Sequence, residues 1–199
     1  MSIWTKIDIK GVYIFLADGF EDIEALATCD VLRRGGVDVK LVSVSGEYPL
    51  SSSHGVQVLA DMLLEDCDFS CESISERDVM IFPGGMPGSK RLASYEKLIR
   101  EMQAHYSKGG AVAAICAAPG LVLGQLEELA GKKMTCFEGF QHSFVEKGAE
   151  YVHQSAVRSG RIVTGRSAAY AVDFGLEILK MIEGEEKAEQ VRRAMCSIC

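Results

Sequence analysis

The stretch Ala111-Val-Ala-Ala-Ile-Cys-Ala-Ala-Pro119 decides the fold. Its first five residues form an apolar run, the pattern of a strand buried on both faces. Lys108-Gly109-Gly110 interrupts the chain before it. Cys116 follows the strand with no spacer, and the spacing predicts a helix from Ala117 to Leu129 with Pro119 in its first turn, where a missing N–H is tolerated. A buried strand that runs directly into a helix is half of a crossover unit, and such units build parallel sheets covered by helices.

The same alternation extends outward in both directions. Val12–Ala17 is a short apolar strand, followed by Ile23, Leu26, Ala27 and Val31 at helical spacing and a stop at Arg33-Arg34-Gly35-Gly36. Val37 to Val44 and Val79–Phe82 are further strands, the second closed by Pro83-Gly84-Gly85. Leu92, Tyr95, Leu98, Ile99 and Met102 line one face of a helix, and Arg161–Thr164 is a late strand. Ala171, Phe174, Gly175, Ile178, Leu179 and Ile182 mark a long amphipathic helix, with a polar one from Glu185 to Met195. Val56–Ala60 and Tyr151–Ser159 read as an antiparallel ribbon or edge strands. No linker, repeat or low-complexity tract divides residues 1–199, so the chain reads as one α/β domain.

Composition removes several function classes. Of 199 residues, 48% are hydrophobic and 25% charged, which is ordinary for a globular chain. With 21 basic against 28 acidic residues and no dense Lys/Arg cluster, the net charge of −7 argues against a nucleic-acid partner. The longest uncharged stretch, Gly109 to Glu127, is rich in Ala and Gly and broken by Pro119 and Gly120, so no membrane span is expected. The first residues lack a basic-then-apolar signal pattern, and seven cysteines, an odd number, fit reduced thiols; both lead to an expected cytoplasmic location.

In sheets of this kind ligands bind beyond the carboxyl ends of the strands. Cys116 stands there, at the geometry of a nucleophile elbow, with small Ala114 and Ala118 two positions to either side. The helix start behind it is expected to favour the thiolate. Glu21, Asp22 and Glu24 open the first helix; dipole complementarity explains the first two, while Glu24 lies where a carboxyl can face the strand ends. Pro83-Gly84-Gly85-Met86-Pro87-Gly88 offers backbone amides for an oxyanion hole but matches no phosphate-binding loop. The Cys67/Cys71 and Cys196/Cys199 pairs lack zinc-knuckle context, so no metal is expected; Cys29 reads as packing and Cys136 as partly accessible. Among the histidines, His142 lies near an apolar segment, His105 on a surface helix and His153 on an edge strand.

At Ala17-Asp-Gly-Phe-Glu-Asp-Ile-Glu24, Phe82-Pro-Gly-Gly85, Ala113-Ala-Ile-Cys-Ala-Ala-Pro119, Thr164-Gly-Arg-Ser167 and Asp173-Phe174 the chain resembles the ThiJ/PfpI superfamily. It looks closest to the branch containing the Parkinsonism-associated deglycase and the bacterial ThiJ-like proteins. The resemblance runs from about Val12 to Met195. It implies a flavodoxin-like three-layer sandwich with a mostly parallel central sheet, helices on both faces, and a homodimer. It places the reactive cysteine on Cys116 and a glutamate with a protonated carboxyl on Glu24. The oxyanion amides fall on Gly85 and Met86, with Ala117 beside the sulfur. His54 matches a position where relatives carry an arginine that reaches the partner's site.

Two departures narrow the chemistry. Ala117 stands where peptidase-like members carry histidine, so peptide hydrolysis is not expected. Phe137 stands where other members bring a histidine near the cysteine. The resemblance implies a cysteine-dependent glyoxalase or deglycase acting without a cofactor on small dicarbonyls such as glyoxal and methylglyoxal, or on their early adducts. The alternative is a redox-sensing or stress-response chaperone whose cysteine is oxidised to sulfenate or sulfinate with little turnover.

Overall fold

The structure, a computed structural model, describes residues 6–195; Cys196 and Cys199 lie outside them. Seven strands form the central sheet: β1 (Val12–Leu16), β2 (Val39–Ser43), β3 (Met62–Leu63), β4 (Val79–Phe82), β5 (Ala111–Ile115), β6 (Ala156–Ser159) and β7 (Ile162–Gly165). Their order across the sheet is β6-β7-β5-β4-β1-β2-β3, and every pairing is parallel except β6 with β7.

All five residues of β1 and of β5 are buried because both faces of the sheet are covered. Side chains alternate between two cores. Tyr13, Phe15, Met80, Phe82, Val112 and Ala114 pack on one side with Leu92, Leu98 and Met102. Ile14, Leu16, Ile81, Ala113 and Ile115 pack on the other with Val31, Phe174, Ile178 and Leu179. The first side carries α2 (Gly88–Ser94), α3 (Glu96–Ser107), α4 (Ala118–Leu121) and α5 (His142–Glu146); the second carries α1 (Asp22–Arg34), α6 (Ala171–Glu183) and α7 (Glu185–Met195). The three-layer α/β sandwich expected from the sequence is therefore the observed architecture. Among the described residues no helix is long and apolar enough to cross a membrane.

The expected ribbon is an antiparallel hairpin pairing Pro49–Ser51 with Gln57–Leu59, and the expected edge strand is β6. Two helices differ from expectation. The face read as one helix through Tyr95 is two, α2 and α3, because Tyr95 takes ψ 88 and the side chain of Gln125 donates to the Ala93 carbonyl at the end of α2 (3.0 Å). The helix expected over Ala117–Leu129 stops at Leu121 and passes into a 3₁₀ turn, Leu123–Gln125. Ser143 Oγ donates to the Gly120 carbonyl (2.6 Å) and Gln125 Nε2 to that of Leu121 (2.9 Å). Gly120 and Gly124 lie against Phe140 and Ser143 so closely that a Cβ at either would collide. Side chains thus take the carbonyls that a longer helix would use, one from the distant Ser143 and one from Gln125 a turn away.

Candidate active site

The carboxyl ends of β1, β4, β5 and β7 converge on Cys116. It is the one non-glycine with positive φ (64°) among the described residues, a conformation that costs an L-residue about 1–2 kcal/mol. Both of its peptide groups are fixed: its N–H donates to the Gly165 carbonyl (3.0 Å), and its carbonyl accepts from Phe137 N–H (2.7 Å). These bonds hold the strand-to-helix turn and direct the half-buried thiol away from the end of β5. The elbow read from the sequence is present.

Glu24 approaches from α1. Glu21 caps that helix through its side chain, which accepts from the Glu24 N–H (2.7 Å). The Glu24 carboxyl is turned inward and only 1% exposed. Its Oε2 accepts from the Gly84 N–H (2.8 Å), while Oε1 is buried without a hydrogen-bond partner among the described residues. Gly84 is required here: a Cβ on it would strike Glu24 Oε2, Cys116 Cβ and the Ile115 carbonyl. The loop after β4 is tied to the loop after β1 by Glu21 N–H to Gly84 O (3.1 Å) and Gly88 N–H to Gly19 O (3.1 Å). That clasp sets the carboxyl against the cysteine.

The two groups titrate as a pair. Burial pushes the Glu24 carboxyl up to about 7, opposed by the adjacent Cys116 thiol, raised further by the charge of Glu21, and opposed again by the Gly84 N–H. Burial pushes the Cys116 thiol up to about 12, as does the carboxyl of neighbouring Glu24; the amides of Ala117 and Gly85 pull the other way. The lowered thiol pKa expected from a helix start is therefore corrected. Helix α4 has four residues, too short to supply a sizeable dipole, and desolvation dominates. When Glu24 holds a proton, its charge no longer opposes the thiolate and its O–H can donate to it. The sulfur becomes a nucleophile when the single proton of the pair moves from it to Glu24.

Of the residues expected at the oxyanion position, Gly85 and Ala117 have amides that favour the thiolate. Gly85 adopts φ 91° against the backbone of Gly19–Glu21, which excludes a side chain. Met86 continues the loop with its side chain 42% exposed. His54 is exposed and touches neither Cys116 nor Glu24 among the described residues. Its Nδ1 pairs with Asp22 Oδ2 (2.7 Å), which raises the imidazole pKa. Ser52 Oγ also donates to Asp22, so the cluster clasps the hairpin to the start of α1. His105 is buried, not on the surface: its ring contacts the Asp78 carbonyl (2.9 Å), and desolvation lowers its pKa. Cys136, expected to be partly accessible, is fully buried because its side chain points into the α2–α5 core. His142 is exposed at the start of α5, and His153 is exposed beside Tyr151 (ring centroids 4.7 Å).

Sequence reasoning missed the Gly84 N–H as the anchor of Glu24; the signal was the Pro-Gly-Gly that makes that close approach possible. It also missed Phe140, which packs edge-on against the exposed Phe137 (ring centroids 6.5 Å).

The chain is similar to known proteins over most of its length. The profile of the DJ-1/PfpI family matches residues 10–181. Protein DJ-1 homolog A of Arabidopsis thaliana is 36% identical over 182 residues, which is 92% of this chain but 45% of that protein, so the chain spans less than half of the plant relative. The Glutathione-independent glyoxalase DJR-1.2 of Caenorhabditis elegans is 30% identical over 88% of this chain and 90% of that one. Among solved structures, oxidized DJ-1 of Toxoplasma gondii superposes with a TM-score of 0.82 at 30% identity, covering 94% of this chain and 98% of that one.

Proposed function

The chain belongs to the DJ-1/PfpI family, and on that premise we propose that it is a cysteine-dependent glyoxalase or deglycase acting on small 2-oxoaldehydes or their early adducts. The observation that carries this reading is the juxtaposition of a strained elbow cysteine with a buried carboxyl whose second oxygen lacks a partner. A glyoxalase-named relative of nearly equal length supports the reaction class.

The chemistry needs only groups already in the site. With one proton on the pair, the Cys116 sulfur adds to the aldehyde carbon and forms a C–S bond. The oxyanion is held by the Gly85 and Ala117 amides and takes the proton from Glu24, giving a thiohemiacetal. Glu24, now a carboxylate, removes the hydrogen on that carbon, and an enediol forms as the neighbouring ketone oxygen takes the proton of the first carbon's hydroxyl. Glu24 returns its proton to the second carbon. The first carbon is oxidised to a thioester and the second reduced to an alcohol, so no external redox partner is needed. Water then cleaves the thioester, releasing a 2-hydroxy acid and the thiol. Ala117 and Phe137 leave no imidazole at the two positions where relatives carry one, so Glu24 is the sole acid–base group in this scheme, and peptide hydrolysis is not part of it.

Purified protein converting methylglyoxal to lactate, with Cys116→Ala inactive, is the expected result; no lactate above the Cys116→Ala control would remove the reading. A second reading, oxidation of Cys116 by peroxide to sulfenate with little turnover, is favoured by Phe137 in place of an imidazole. Peroxide sensitivity of Cys116 without lactate formation would select it. A homodimer is part of the proposal. Ile23 and Leu26 on α1 and Val56 and Leu59 on the hairpin are exposed apolar side chains, Leu59 by 72%, on elements that the Asp22–His54 clasp joins. Sedimentation as a single species near 21.6 kDa would contradict it.

A further inference from the structure

Phe137 is an exposed aromatic ring in a rigid place. Its side chain is 49% exposed, yet its backbone is bonded directly to the reactive residue, Phe137 N–H to Cys116 O at 2.7 Å. Phe140 N–H returns to the Phe137 carbonyl (3.2 Å), so residues 137–140 form a closed turn. The far side of that turn is pressed onto the segment following the elbow, where Gly120 leaves room for the Phe140 backbone and Cβ. Ser143 Oγ donates to the Gly120 carbonyl (2.6 Å) and secures the same contact. The turn is thus fixed at both ends of the Cys116–Gly120 segment.

Phe140 itself packs partly into the α2–α5 core, and its ring meets that of Phe137 edge-on. Nothing else among the described aromatic rings pairs with Phe137. One ring is anchored, and the other stands half in solvent on a backbone bonded to that of the cysteine. An aromatic side chain held out of the core in this way offers a face that a ligand ring can stack on or meet edge-on.

We propose that Phe137, backed by Phe140, is a specificity-determining residue that selects 2-oxoaldehydes bearing an aromatic or bulky apolar group over glyoxal and methylglyoxal. The inference rests on the proposed carbonyl chemistry at Cys116 and adds the identity of the group attached to the carbonyl. In the bound substrate the aldehyde carbon meets the sulfur while the apolar group lies on the Phe137 ring. Phe137 takes no part in proton transfer; it acts through binding.

Two measurements test it. In steady-state kinetics on the full chain, kcat/KM for phenylglyoxal should exceed that for methylglyoxal by about five- to tenfold, the size one aromatic contact supplies. The difference should lie in KM, and the ratio should collapse in Phe137→Ala and persist in Phe137→Tyr. Independently of turnover, Cys116 should react faster with iodoacetanilide than with iodoacetamide, each rate being normalised to that of free cysteine, and Phe137→Ala should abolish the preference. An aromatic preference in alkylation with no turnover of either dicarbonyl would sink the glyoxalase reading and leave the role of Phe137 standing. Cys116-dependent turnover of methylglyoxal with equal ratios in wild type and Phe137→Ala would overturn the role of Phe137 and leave the glyoxalase reading intact.

Discussion

Asp78 and Glu24 are both buried carboxyl groups, 4% and 1% exposed, at opposite ends of the same sheet. Asp78 precedes β4 at the amino end. It accepts from the Gly11 N–H (2.8 Å), the Ser75 N–H (2.8 Å) and Ser75 Oγ (2.9 Å), so both oxygens are occupied and the segments leading into β1 and β4 are pinned together. Glu24 at the carboxyl end has one backbone donor and one oxygen with none. Burial alone therefore does not make a functional carboxyl. A buried carboxylate with both oxygens bonded is a structural pin, whereas one left half-satisfied against a thiol holds a proton near neutrality and can pass it on.

The largest effect expected from this contrast is on stability. Asp78→Ala leaves three donors without an acceptor and should destabilise the fold by about 3–5 kcal/mol, read as a lower denaturant midpoint. A loss under about 1 kcal/mol would mean that Asp78 is no pin. Glu24→Gln should do the opposite. The Glu24 pKa is raised from 4.5 to about 7, so the folded state binds the extra proton and wild-type stability falls as pH climbs through that interval. Below about 4.5 the carboxyl is protonated in both states and contributes nothing; above about 7 the penalty is complete, at most about 3 kcal/mol. Glu24→Gln should therefore gain on wild type between those pH values and hold a constant advantage above them. Chemical denaturation at pH 4 and pH 8 compares the two directly.

A smaller effect separates the cysteines. Cys116 is half-buried at the elbow, while Cys29, Cys67 and Cys136 are buried. A brief peroxide pulse read by peptide mass spectrometry should modify Cys116 before any of these, and earlier modification of Cys136 would contradict the elbow reading. The smallest effect belongs to His54. Its bond to Asp22 is solvent-exposed, so His54→Ala should change stability by less than about 1 kcal/mol; a larger loss would show that the hairpin clasp carries more of the fold than its exposure suggests.

The sheet, its crossovers and the elbow were legible because they are written locally. An apolar run with no spacer before Cys116, and glycines where the backbone must turn, suffice to place them. Glu24 was weakly legible from its place deeper in the first turn than Glu21 and Asp22, and family resemblance turned that position into a site residue. The short α4 was not legible, since its end is set by Ser143, 23 residues beyond Gly120 in sequence, whose hydrogen bond to it closes only on folding. The buried state of His105 was hidden for the same reason: the Asp78 carbonyl it meets is 27 residues away in sequence.

The division of labour between thiol and carboxyl is tested most directly on one preparation of Glu24→Gln, comparing methylglyoxal turnover with the rate of iodoacetamide attack on Cys116. A glutamine keeps the acceptor for Gly84 N–H and introduces no charge against the thiolate, but it cannot carry a proton. Turnover should fall by about 10²- to 10⁴-fold, the worth of a general acid–base group, while alkylation of Cys116 falls by less than about tenfold. Equal losses in the two rates, or turnover that survives the substitution, would contradict the assignment of Glu24 as the proton carrier.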